Sequence, residues 1–205
     1  MSEAFNAERL TRLCDFLQQS PTPWHATQNM AQRLEQAGFT RLEETANWQL
    51  APGKRYYVTR NDSSLIAFQL PAGKLSSLRM LGAHTDSPGL RLKPNATQYS
   101  AGWMQLGVQV YGGVLLAPWF DRELGLAGRV HVRHADGRLE SVLLNVAQPV
   151  AMAISRAGRV VTASEPCSSS RATPPWSAVR NASCGVSGQA CQAPAPCRAS
   201  SRPSV

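Results

Sequence analysis

The stretch LGAHTDSPGLRLKPN, Leu81–Asn95, sets a histidine and an aspartate two residues apart at the end of an apolar run. In extended backbone, residues i and i+2 point to the same side. His84-Thr85-Asp86 can therefore put a carboxylate behind an imidazole. A ligating histidine commonly donates its second ring N–H to such a carboxylate, which fixes the tautomer and raises its basicity. The plain alternative is a hydrogen-bonded pair at a strand end, and the spacing alone does not separate the two. The preceding residues, Ser77–His84, read as a strand more buried toward its end. His84 would then stand at a C-terminal strand edge, where ligands of α/β sheets bind.

Outward from this stretch, the chain alternates between helical and extended patterns. FNAERLTRLCDFLQ, residues 5–18, spaces Leu10, Leu13, Cys14 and Leu17 at i, i+3, i+4 and i+7, an amphipathic helix. Phe16 falls off that stripe and is free to meet a neighbouring element. Ser20-Pro21-Thr22-Pro23 stops the helix, because proline lacks the N–H and constrains its predecessor. A second helix is expected from about Trp24 to Ala37, with Ala26, Met30, Ala31 and Leu34 as its stripe and Gly38 just past its end. Arg55–Arg60, the turn Asn61-Asp62 and Ser64–Leu70 read as a β-hairpin. Gly102–Val110, Arg129–Arg133 and Leu139–Leu144 read as further strands, with Asp136-Gly137 a turn. Helices followed by many strands give an α/β or α+β domain leading into a β-rich segment; the fold class taken forward is α/β.

Charge and composition divide the chain. The net charge is +8, of which residues 151–205 carry 6 Arg against the single acid Glu165. That segment holds 11 Ser, 11 Ala, 6 Pro and no Leu, Phe, Tyr, Lys or His, so it has little apolar surface to offset ordering entropy. Disorder is its default, and its make-up also fits a GC-rich coding sequence read out of frame from about codon 150. With one aromatic, Trp176, and no cluster of Arg or Lys, it is a poor nucleic-acid surface, and no nucleic-acid partner is expected. Cys167, Cys184, Cys191 and Cys197 lack the paired short spacings of a zinc ribbon. No apolar run reaches membrane-spanning length, and the first residues, MSEAFNAERL, lack the basic end and apolar core of a secretory signal. The expectation is a cytoplasmic protein without a membrane partner.

Two longer stretches add what spacing cannot. LGAHTDSPGLRLKPN, then YGGVLLAPWFDRELGLAGRVHV at Tyr111–Val132, closely resembles the aspartyl-aminopeptidase family of zinc metallopeptidases. SPTPWHA at Ser20–Ala26 and GKRYYVTRNDSSLIAF at Gly53–Phe68 agree with it, so the resemblance covers roughly residues 5–150. It implies that His84 is the first metal-binding histidine. Asp86 would be the acid that orients it and supports the catalytic centre. Trp119-Phe120-Asp121-Arg122 would mark where an inserted oligomerisation domain begins, with Asp121-Arg122 a local ion pair. The implied divisions are residues 1–95 for the N-terminal part of a catalytic domain, 96–150 for the start of the oligomerisation domain and 151–205 for an unrelated tail.

The implied cofactor is zinc, two co-catalytic ions, with manganese or cobalt as substitutes. The implied substrates are peptides with an N-terminal residue, acidic in the best-known members, and the full-length partner is a homo-oligomer. The family's remaining ligands, a bridging aspartate, a Glu-Glu pair, another carboxylate and a late histidine, have no counterparts here. Nor does its Ala-Ile-His-Leu stretch; Ala153-Ile154-Ser155 is the nearest text. A catalytic zinc needs three protein ligands, so the chain as given is expected to be inactive. The alternative is a non-catalytic remnant that keeps only its subunit-association surface. His25 is expected to cap or pack a helix, and His131 and His134 to lie on the surface or at an interface. No Gly-x-Ser-x-Gly elbow offers a serine triad.

Overall fold

The computed structural model describes residues 3–100, 103–120, 123–155, 159–162 and 187–192. Helix α1 covers Glu3–Gln19 and α2 covers Pro23–Gln36. Thr22 caps α2: its hydroxyl accepts from the His25 backbone N–H, and Pro23 occupies the first turn, where no donor is needed. Gly38, at φ 81°, takes the left-handed turn that ends the element. Phe16 does meet a neighbour, since the Arg33 guanidinium of α2 lies 4.6 Å from its ring centre. Along the apolar stripe of α1, Leu10, Leu13 and Leu17 remain exposed.

Three strands follow: β1 at Thr40–Leu42, β2 at Arg55–Arg60 and β3 at Ser64–Gln69. β1 runs parallel to β2, and β2 pairs antiparallel with β3 around the Asn61-Asp62 turn, where both residues have φ 52°. Tyr56, Tyr57 and Val58 of β2 are buried, and α2 packs against β2 and β3. The Tyr57 hydroxyl donates to Glu35 of α2.

The strand expected over Ser77–His84 is absent. Residues 70–84 form no ladder with any described strand, and Leu78, Met80 and Leu81 face solvent. A strand exists only with a partner for its N–H and C=O groups, and the described residues supply none. His84 therefore sits in an extended loop, not at a strand edge.

The rest is a closed antiparallel barrel in the order β4-β5-β8-β7-β6-β9. β4 spans Gly89–Ser100, β5 Trp103–Tyr111, β6 Glu123–Arg133, β7 Leu139–Ser155, β8 Arg159–Thr162 and β9 Ser187–Gln192. The strands β6 and β7 run well past the lengths read from sequence. β4 takes in Pro94, which a strand tolerates only at an edge or irregularity. The β4–β5 register shifts between Leu92 and Thr97, and Asn95 there has φ 55°. Leu90, Val108, Trp119 and Leu124 form the barrel core, with Leu92 and Val114 against it. Disorder over 151–205 does not hold at the end of β7 or in β8 and β9. Their backbones find ladder partners in strands from the preceding segment, so hydrogen bonding there does not depend on apolar side chains. The remaining tail residues, with its cysteines Cys167, Cys184 and Cys197, lie outside the described residues.

Candidate metal centre

His84 and Asp86 are brought together as their spacing allows. His84 Nδ1 lies 3.1 Å from Asp86 Oδ1. The imidazole is 91% exposed and the carboxylate 34%. With Nδ1 turned to the carboxylate, Nε2 is the nitrogen that faces outward.

Two neighbours hold this loop. The Thr85 hydroxyl donates to the Ser63 carbonyl at 2.7 Å, tying the loop to the β2–β3 turn. The Tyr111 hydroxyl, at the end of β5, donates to Asp86 Oδ2 at 2.6 Å. The Arg91 guanidinium of β4 lies 3.2 Å from the Tyr111 ring centre. Gly112 then turns the chain at φ 66° directly over Pro88, which an added Cβ would meet at 3.5 Å.

The electrostatics follow from these bonds. Tyr111 and then His84 hold the Asp86 carboxyl below the usual carboxylate range by bonding its charged form. The Tyr111 phenol is raised in turn, because Asp86 keeps its proton, while Arg91 pulls the other way. Sequence reading missed both Tyr111 and Arg91. Tyr111 lay inside the quoted YGG stretch, but a contact 25 residues away from Asp86 has no local signal.

The donor chemistry suits one position of a metal centre: an outward imidazole nitrogen with a carboxylate on its other nitrogen. It does not make a complete one. Among the described residues, no group of three His, Cys, Asp or Glu side chains stands close enough to hold an ion. A cavity of about 360 Å³ lies elsewhere, between α2, β2 and the barrel, with Trp24, Glu35, Arg41, Tyr57 and Arg129 in its wall.

The other histidines fall where expected. His25 is buried, its Nδ1 2.7 Å from the Thr22 hydroxyl, and burial lowers its pKa. His131 is exposed, and His134 Nε2 pairs with Glu140 at 2.6 Å on the surface. Trp119 is buried in the barrel core and Phe120 is exposed; Asp121 and Arg122 lie outside the described residues.

The family model for aminopeptidase I zinc metalloproteases, M18, matches residues 16–155. The chain belongs to that family. It is 56% identical over 154 residues to the "Probable M18 family aminopeptidase 2" of Pseudomonas putida (strain GB-1), covering 74% of this chain and 35% of that protein. Against the protein of the same name in Azotobacter vinelandii it is 59% identical over 144 residues, covering 68% and 33%. The chain thus spans about a third of the length of these relatives. Among solved structures, a cryo-EM structure of an Ape4 and Nbr1 complex matches with a TM-score of 0.67 at 34% identity, covering 74% of this chain and 33% of that one. The crystal structure of yeast aminopeptidase 1 gives 0.66 at 27%, covering 79% and 39%. The mixed α/β fold is therefore that of the N-terminal part of M18 aminopeptidases. No described helix is long and apolar enough to cross a membrane.

Proposed function

We propose that this chain carries the first third of an M18 aminopeptidase and supplies its first metal ligand, His84, with Asp86 behind it. The observation that carries the reading is the Asp86–His84 bond, which turns Nε2 outward in a chain matched to a zinc metalloprotease family. Zinc bound there, as one of two co-catalytic ions, would supply an activated water for attack on the N-terminal peptide bond. The remaining ligands and the general base belong to the part of the longer enzyme beyond the matched region. The preferred substrates are peptides with an N-terminal Asp or Glu, and the working enzyme is a cytoplasmic homo-oligomer. One solved relative, of Saccharomyces cerevisiae, is described as a dodecamer.

Residues 1–95 form the catalytic part and 96–150 begin the oligomerisation domain. The family match ends at residue 155, next to the abrupt change in composition, which supports a shifted reading frame near codon 150. The 205-residue chain by itself is then inactive.

The test is to resequence the coding DNA from codon 140 onward and read all three frames. A one- or two-base correction should restore Ile-His-Leu, a Glu-Glu pair and a late histidine. The restored protein should release N-terminal Asp or Glu, and H84A should abolish that. A confirmed frame through to a genuine stop favours the alternative, a remnant that keeps only its subunit-association surface.

A further inference from the structure

The His84-Thr85-Asp86 loop has no strand of its own to hold it, yet both of its polar flanks are anchored by other elements. Thr85 is tied to the β2–β3 turn, and Asp86 to the barrel through Tyr111. The two carboxylate oxygens are divided between partners: Oδ1 faces His84 Nδ1 and Oδ2 accepts from Tyr111. A carboxylate that is free to rotate about its side-chain bonds would leave the exposed imidazole free as well. A carboxylate pinned by one oxygen presents the other in a fixed direction.

From this arrangement we infer that Tyr111 is a positioning residue: the barrel strand β5 holds Asp86 and thereby sets the orientation and tautomer of His84. Arg91 covers one face of the Tyr111 ring and steadies it, since a guanidinium over an aromatic face is attracted to it. Tyr111 bonds Asp86 through Oδ2, the oxygen that does not face His84. It acts through Asp86, as outer partners of ligating histidines do. The consequence is a physical link between the barrel and the catalytic loop. A shift of β5 would be felt at His84 Nε2 through two hydrogen bonds. This inference rests on the reading of His84 as the metal ligand.

The test uses the full 205-residue chain at a pH where His84 is neutral, with ¹⁵N-labelled histidine and NMR of the ring nitrogens. The unsubstituted chain should show His84 protonated at Nδ1 and bare at Nε2. Y111F, which removes only the hydroxyl, should move both nitrogens toward the averaged shifts of a free imidazole, and D86N should do the same. A merely structural tyrosine would change the unfolding temperature and leave these shifts alone. If D86N averages the ring but Y111F does not, Tyr111 has no positioning role, while the Asp86–His84 pair stands. If the ring is already averaged in the unsubstituted chain, the pair itself is not formed, and both readings fall. Should Y111F not fold, the hydroxyl proton of Tyr111 in the unsubstituted chain decides. Slow exchange with solvent, lost in D86N, supports the inference, and rapid exchange overturns it.

Discussion

The barrel and the layer before it solve the same problem with different success. In the barrel each strand has a partner on both sides, and Leu90 and Leu124 are sealed inside at 1% and 0% exposure. In the N-terminal layer, β2 is sandwiched between β1 and β3 and covered by α2, but β3 has no second partner among the described residues. Leu10, Leu13 and Leu17 of α1 and the loop residues Leu78, Met80 and Leu81 face solvent as well. A closed sheet completes itself, whereas an open sheet depends on what lies beside it. The candidate metal ligand sits at the junction, on a loop that belongs to the incomplete layer and is steadied by the complete one.

That contrast can be broken by substitution. Leu124→Ala in the barrel should cost about 2–5 kcal/mol in urea unfolding, while Leu78→Ser in the exposed loop should change stability by less than about 0.5 kcal/mol. Equal effects would mean that the loop is packed in solution.

Two titrating groups probe the covered part of the open layer. Burial and the bond to Glu35 push the Tyr57 phenol up to about 12 from 10.0. The folded state therefore favours the protonated phenol. Its contribution is whole below pH 10 and is lost as pH rises through 12. Thermal unfolding followed from pH 9 upward should show this loss, and Y57F should flatten it.

Removing the cap of α2 is a smaller change. Thr22→Ala should cost about 1 kcal/mol and lower the helical signal on mild heating. Smaller again is the acid limb. Burial lowers the His25 pKa, so the folded state disfavours the charged ring. This contribution is whole above the unfolded value of 6.5 and falls as pH drops from there toward the folded pKa. H25Q should remove that limb from a plot of stability against pH.

Much of this was legible in the sequence, and the rest was not for physical reasons. Local signals marked α1, α2, the Gly38 stop and the β2–β3 hairpin, because periodicity and turn residues act over a few positions. The His84–Asp86 pair was legible because two residues of extended chain fix its geometry. The strand expected over Ser77–His84 failed because an apolar run states a preference for burial, while a strand also needs a partner. β4 was hidden by Pro94, and β9 by its small polar residues, since both are held by ladder pairing to distant strands. Tyr111 and Arg91 escaped notice because their roles arise only when β4 and β5 pair.

The central claim is that this chain brings one metal ligand and cannot build the metal centre alone. The most direct measurement is the zinc content of the purified 205-residue chain after equilibration with zinc and desalting, read alongside hydrolysis of Asp- and Glu-terminated peptides. The account predicts no retained zinc and no hydrolysis. Two zinc ions per chain with release of the N-terminal residue would contradict it.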